Sequence, residues 1–272
     1  MNIMQAQLSR SSSAFPSNVI QLFGYKELLR NLVAKELKVK YRGSALGFLW
    51  SLLHPLLLIV VYALAFRFIL RIPLENFPLF LVIGVLHWGF FSSSTIAATE
   101  AILGNANLIR QIYFPRMILP LSVVSFQLLQ LLFAMVVFFV VYIPLGGQLW
   151  WGLCLYPLLL VLQGLFVVGV ALGISALTVF YRDLKHLAEV GLMLLFWLTP
   201  IVYNFTMIPE TAQLWFRLNP MVPFVISYHD IFYLHEMPSF GNWALMVFWA
   251  WMALWVGYLL FRRREDRFAE EL

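Results

Sequence analysis

Charge is scarce in this sequence. Asp, Glu, Lys and Arg make up 11% of its 272 residues, while apolar side chains make up 62% and aromatics 17%. A soluble domain carries about a quarter charged residues, so the medium this surface meets is lipid. Cysteine is nearly missing: Cys154 stands alone in an apolar stretch, which excludes a disulfide framework. No G-x-x-x-x-G-K-[ST] loop occurs, so this chain does not bind ATP through a Walker site. No H-E-x-x-H occurs among the five histidines either. The polar opening MNIMQAQLSRSSSAFPSN has no apolar core, so the first apolar span, not a cleaved signal peptide, is expected to direct insertion.

What the chain does have is long apolar runs. A hydrocarbon core of about 30 Å needs roughly 20 apolar residues per helix. Six runs qualify: Phe48–Leu70, Phe77–Ala97, Met117–Ile143, Leu153–Phe180, Leu187–Phe205 and Trp243–Phe261. In lipid every backbone group must be satisfied within its segment, so these runs are read as helices. The short alternating strands of a barrel are missing. The expected fold is an all-α integral membrane protein of six transmembrane helices.

Basic residues decide the orientation. If the N-terminus is cytoplasmic, all of the 18 basic residues except Arg67, Arg71 and Arg217 fall on the inner side. The positive-inside rule then puts both termini in the cytoplasm. The net charge of +5 follows from this bias and does not point to nucleic acid.

Three further segments stand out. Before the first span, Leu22, Tyr25, Leu29, Leu32 and Val33 form an apolar stripe with Lys26, Arg30, Lys35 and Lys38 on the other faces. This pattern predicts an interfacial amphipathic helix within a cytoplasmic region 1–46, with Gly43 and Gly47 turning the chain into the membrane. The transmembrane region is expected over 47–262 and a short cytoplasmic tail over 263–272. Residues 206–240 hold semi-apolar pieces separated by prolines and are expected to form short re-entrant helices. The third segment, NANLIRQIYFPR (Asn105 to Arg116), is a polar, basic break between two apolar runs. Leu108, Ile109, Ile112 and Tyr113 fall at helical spacing, with Arg110, Gln111 and Arg116 elsewhere and Pro115 ending the helix. A patterned stiff rod reads as a handle for another protein; a plain linker would be rich in Gly and Ser.

Several constellations carry two readings. His54 is expected to satisfy a carbonyl freed by Pro55, the preferred reading, or to make a pore contact. The pairs His229-Asp230 and His235-Glu236 have metal-ligand or acid–base chemistry, but a solvated polar loop is the preferred reading. Gly169-x-x-x-Gly173 is a close-packing pattern that serves one subunit or a dimer contact equally well. The hydroxyls of Ser92 to Thr95 either bond back to their own helix, the preferred reading, or line a polar path. Aromatics within spans are mostly packing or lipid-facing residues; a minority suit the flat faces of sugar rings. The candidates are Phe48, Trp50, Tyr62, Trp88, Phe91, Phe196, Trp197 and Tyr203.

Taken together, RNLVAKELKVKYRGSALGFLWSLLHPL, NANLIRQIYFPRMILPL and YRDLKHL resemble the signature stretches of the permease subunits of ABC-2 type polysaccharide exporters. LNPMVP, before the last span, is similar to a further pattern of that family. The resemblance implies a permease that works as a homodimer in the bacterial cytoplasmic membrane, above two copies of a separate ATPase. ATP and magnesium would be bound by that partner, with no cofactor in this chain. It implies export of a lipid-linked polysaccharide such as O-antigen; the alternatives are an exporter of a small lipid or drug, or an ion-coupled carrier. The resemblance places the coupling helix at about 101–116 and an external gate region at about 206–240. ATPase coupling is expected of Asn105, Asn107, Leu108, Arg110, Gln111, Tyr113 and Arg116, of Lys35, Lys38 and Arg42, and of Arg182 and Asp183 in the second inner loop. No catalytic or metal-binding residue is expected.

Overall fold

The computed structural model describes residues 24–44, 49–50, 53, 56–57, 60–61, 64, 76–144 and 146–272. Every regular element among them is helical. In order these are α1 (Lys26–Tyr41), α2 (Phe77–Glu100), α3 (Ala106–Gln111), α4 (Ile118–Tyr142), α5 (Tyr156–Thr178), α6 (Leu184–Trp197), α7 (Glu210–Arg217), α8 (Met221–His229), α9 (Phe240–Arg264) and α10 (Phe268–Glu271).

Among the described residues, four helical stretches are long and apolar enough to cross a membrane: Phe77–Glu100, Ile118–Tyr142, Trp151–Thr178 and Phe240–Arg267. They coincide with the second, third, fourth and sixth expected runs. The first run lies largely outside the described residues, as do His54 and Gly47. Gly43 takes the left-handed conformation of a turn, with φ +74°.

The fifth run departs from expectation. Instead of one helix over Leu187–Phe205, α6 stops at Trp197 after 14 residues. At 1.5 Å per residue that is about 21 Å, less than a hydrocarbon core. Pro200 is the reason: it has no N–H to continue the ladder, and it disfavours helical backbone at Thr199. The chain then turns irregularly through residues 201–204.

Two glycines set the tightest helix pair. A Cβ at Gly169 would run into the backbone of Ala253 and Leu254, and one at Gly257 would run into the Gly169 carbonyl. The backbones of α5 and α9 therefore touch. In lipid, where water expulsion drives nothing, this dispersion contact is what holds helices together. The small-residue pattern at Gly169 and Gly173 thus serves packing within one subunit.

α8 is the most enclosed element. Met221, Val222, Phe224, Val225 and Tyr228 have no exposed surface, nor do Ile231 and Phe232 in the π-helical turn Asp230–Leu234 that follows. The segment wedges against α2, α5 and α9. Gly84 of α2 makes room for it: a Cβ there would lie 3.1 Å from His229 Nε2 and 3.2 Å from Ile201. A second apolar cluster closes the basic end and joins Leu32 of α1, Ile109, Phe114 and Met117 of the α2–α4 connection, Val179, Phe261 and Phe268.

Candidate functional site

The α2–α4 connection carries the most exposed aromatic at the basic end, Tyr113 at 95%. It begins with a turn over Leu103–Asn105, continues as α3, and becomes extended at Ile112 (φ −132°, ψ 136°). The helix is shorter than the spacing suggested. It ends at Gln111, four residues before Pro115, because a proline favours extended backbone upstream of itself and the chain must climb into α4. The four apolar residues therefore do not share one face. Ile109 is buried and Leu108 half-buried, while Ile112 is 58% exposed and Tyr113 95% exposed. Asn107, Arg110 and Gln111 are exposed. Arg110, Gln111, Ile112, Tyr113 and Arg116 line a polar cleft of about 240 Å3 with Ile109 and Phe114 at its floor.

The other expected coupling residues divide. On α1, Leu32 is buried, Tyr25, Leu28 and Leu29 pack on the basic-end cluster, and Lys26, Arg30, Lys35 and Lys38 are exposed. Lys35 Nζ donates to Asn105 Oδ1 at 3.4 Å, and Asn105 Nδ2 donates to the Ala101 carbonyl at 2.9 Å. Arg42 is exposed in the turn after α1. Arg182 and Asp183 are exposed beside a hollow of about 610 Å3 walled by Leu177, Phe180 and Leu187. Arg116 turns inward. Its guanidinium donates to the Glu265 carbonyl and lies over the Phe268 ring at 6.0 Å.

A groove of about 560 Å3 runs between α2 and α6. Trp88, Ile96, Leu192 and Met193 form apolar walls; Ser92 and Ser93 add hydroxyls, and Glu100, Lys185 and Glu189 lie at the basic end. Lys185 Nζ meets Glu100 Oε1 at 2.6 Å, and that carboxylate raises the lysine pKa. The hydroxyl question resolves residue by residue. Ser92 and Thr95 bond back to the Gly89 and Phe91 carbonyls at 3.4 and 2.8 Å, whereas Ser93 is exposed on the groove.

The aromatic candidates also scatter. Phe91 is buried against Phe166 at 5.5 Å, inside the subunit, so it lines no surface. Trp88 packs edge-on to Phe91 and Phe196 at 5.4 and 5.7 Å. Trp197 is 63% exposed, and Tyr203 donates to its carbonyl at 2.9 Å. Trp50 is exposed; Phe48 and Tyr62 lie outside the described residues.

Of the histidine pairs, His229-Asp230 is not a solvated loop, whereas in the second pair Glu236 is exposed and His235 half-buried. His229 is buried, stacks on Phe80 at 3.6 Å and reaches the Phe80 carbonyl through Nε2 at 3.0 Å. Burial pushes its imidazole down to about 3, so it is neutral and donates that bond. Asp230 is half-buried, and burial together with Glu236 pushes its carboxyl up to about 7. No group of three or more His, Cys, Asp or Glu suited to a metal occurs among the described residues.

Sequence reasoning missed the polar links that hold the wedge. Tyr228 donates to Gln163 Oε1 at 2.8 Å, and Gln163 Nε2 donates to the His87 carbonyl at 2.9 Å. The His87 ring stacks on Tyr228 at 3.6 Å. Carbonyls freed by the π-helical turn are met by Tyr142 (to Phe232, 2.9 Å) and Trp150 (to Ile231, 2.8 Å). Asn219 ties the start of α8 to the end of α6: its Nδ2 reaches the Leu198 carbonyl and Thr199 Oγ1 at 3.2 and 2.9 Å, and its Oδ1 accepts from the Met221 amide at 3.0 Å. A lone Gln or His in an apolar run is the available signal, since such a residue in lipid needs a partner.

Long apolar helices, a buried polar wedge and a basic connection with an exposed aromatic tip define an integral membrane protein. Residues 27–233 match the ABC-2 type transporter family, and the chain belongs to it. It is 34% identical over 256 residues to the O-antigen export system permease protein RfbA of Myxococcus xanthus, covering 93% of this chain and 98% of that protein. The RfbA of Klebsiella pneumoniae is 34% identical over 250 residues, covering 90% and 95%. The polysialic acid transport protein KpsM of Escherichia coli is 22% identical over 251 residues, covering 89% and 95%.

Proposed function

We propose that this chain is the permease subunit of an ATP-driven exporter of a lipid-linked polysaccharide of the O-antigen type. It crosses the bacterial cytoplasmic membrane six times with both termini inside, the fifth crossing made by α6 together with the irregular residues 198–204. Two copies form the conduit, and two copies of a separate ATPase bind beneath. The likeness to two O-antigen export permeases over nearly the whole length carries the cargo assignment. The protrusion of Ile112 and Tyr113 carries the mechanism. An exposed apolar tip flanked by Arg110 and Gln111 suits a cleft in a soluble partner, where desolvating an aromatic gives much of the affinity. α1 lies along the inner membrane surface with its lysines toward the ATPase. α7 and α8 form the outer gate region, of which α8 is the fixed part and α7, with no buried residue, the movable part.

Co-purification of the permease with an ABC-type ATPase from the same organism tests this reading. The native pair is expected to stay together in detergent and to export polymer from proteoliposomes only with ATP. Tyr113→Ala is expected to release the ATPase. Transport by the permease alone would overturn the proposal.

A further inference from the structure

The C-terminal residues after α9 do not trail into solvent. The chain makes a turn at Glu265–Arg267 and folds back as α10, with Phe268 completely buried. Its ring meets Phe261 of α9 edge-on at 5.3 Å and Phe180, which ends the α5 segment, at 6.2 Å. Arg116, three residues beyond the exposed Tyr113, holds this turn at two points: the Glu265 carbonyl and the Phe268 face. Arg262 fixes the same residue by pairing with the Glu265 carboxylate at 2.6 Å. A guanidinium suits the place because the carbonyl end of a helix carries partial negative charge and an aromatic face attracts a cation.

The coupling segment is therefore two-sided. Tyr113 points out and Arg116 points in, with only the stiff Phe114-Pro115 step between them. A push on Tyr113 reaches α9 through Arg116 and Phe268 without crossing a flexible linker, and reaches the turn before α6 through Phe180.

We propose that Arg116 and Phe268 form a strut that makes the coupling segment, the end of α9 and the α5–α6 turn move as one body. Arg116 is then a positioning residue and not a contact to the ATPase. This inference rests on the exporter reading above.

The test uses the permease–ATPase complex in proteoliposomes and reads partner retention, ATP hydrolysis and export separately. Arg116→Met keeps the stem and removes the cation; Phe268→Leu keeps the apolar fill and removes the ring face. Both are expected to retain the ATPase and to lower export per ATP by about threefold to tenfold. The double variant is expected to be no worse than the poorer single, because both cut one link. Loss of the ATPase from Arg116→Met, as from Tyr113→Ala, would make Arg116 a docking residue and overturn the strut. So would an unchanged ratio, or losses that multiply in the double variant. If Phe268→Leu does not accumulate, Arg116→Lys replaces it. Lys keeps the charge without the planar fork and is expected to recover part of the ratio; equal ratios for native, Met and Lys proteins would overturn the strut. Failure of the exporter reading looks different: the native chain itself would retain no ATPase, and the strut would fall with it.

Discussion

The wedge of α8 and the connection between α2 and α4 solve opposite problems with similar residues. Both combine aromatics, asparagine and basic or imidazole side chains. In the wedge each polar group turns inward and most find a partner: Tyr228 on Gln163, Gln163 on His87, His229 on Phe80, Asn219 on Thr199. In the connection Asn107, Arg110, Gln111 and Tyr113 face out. The lesson is about what fills the space beside the backbone. Lipid leaves no partner, so a polar group there must be answered from within. Water or a docking protein answers the connection.

Changes to the packed half should act on stability, and changes to the connection on coupling. The largest effect is expected from Gly169→Val, which drives a side chain into the α9 backbone. It should cost about 3 kcal/mol or more and leave little folded protein, read as a lost melting transition in detergent. Next, Gln163→Leu strands the buried Tyr228 hydroxyl, at a cost of about 2 kcal/mol, seen as a lower Tm. An unchanged Tm would mean that the wedge is held by shape alone.

Asp230 adds a pH dependence. Its folded pKa, about 7, lies above the ordinary carboxylate value, so the folded state holds the proton more tightly than the unfolded one. The stability this contributes is complete below about 4 and is lost as pH rises through about 7. Asp230→Asn should flatten that part of a Tm-against-pH curve. A native curve already flat there would show the carboxylate is solvated. Tyr113→Ala should leave Tm almost unmoved, within about 0.5 kcal/mol, while releasing the ATPase. The smallest effect is expected at Lys185→Ala. Its exposed pair with Glu100 is screened by solvent and contributes little, and high salt should erase the difference from native Tm. A large Tm loss in either of these last two variants would erase the contrast between the regions.

Much of the architecture was legible in the residues themselves. Length and apolarity marked four helices whose ends fall within a few residues of expectation, because lipid sets one thickness and demands internal hydrogen bonding. Pro200 was visible but its weight was not: a proline inside a run of apolar residues kinks one helix and stops another, and here Asn219, some twenty residues on, supports the stop. Likewise the spacing of Leu108, Ile109, Ile112 and Tyr113 described a helix that the approach to Pro115 cut short. His229 was misread as solvated because its neighbours Asp230 and His235 are polar. Burial came from α2 across the fold.

By itself the sequence determined the medium, the lengths of four spanning helices, the basic end and the family. These depend on composition and order, which lipid reads directly. Only the tertiary structure decided which polar residues answer one another, that Gly169 faces α9 and not a second copy, that α8 is a buried wedge, and that Arg116 and Tyr113 point in opposite directions. Each of these turns on a contact between residues far apart in the chain, and no local pattern specifies a partner it does not touch.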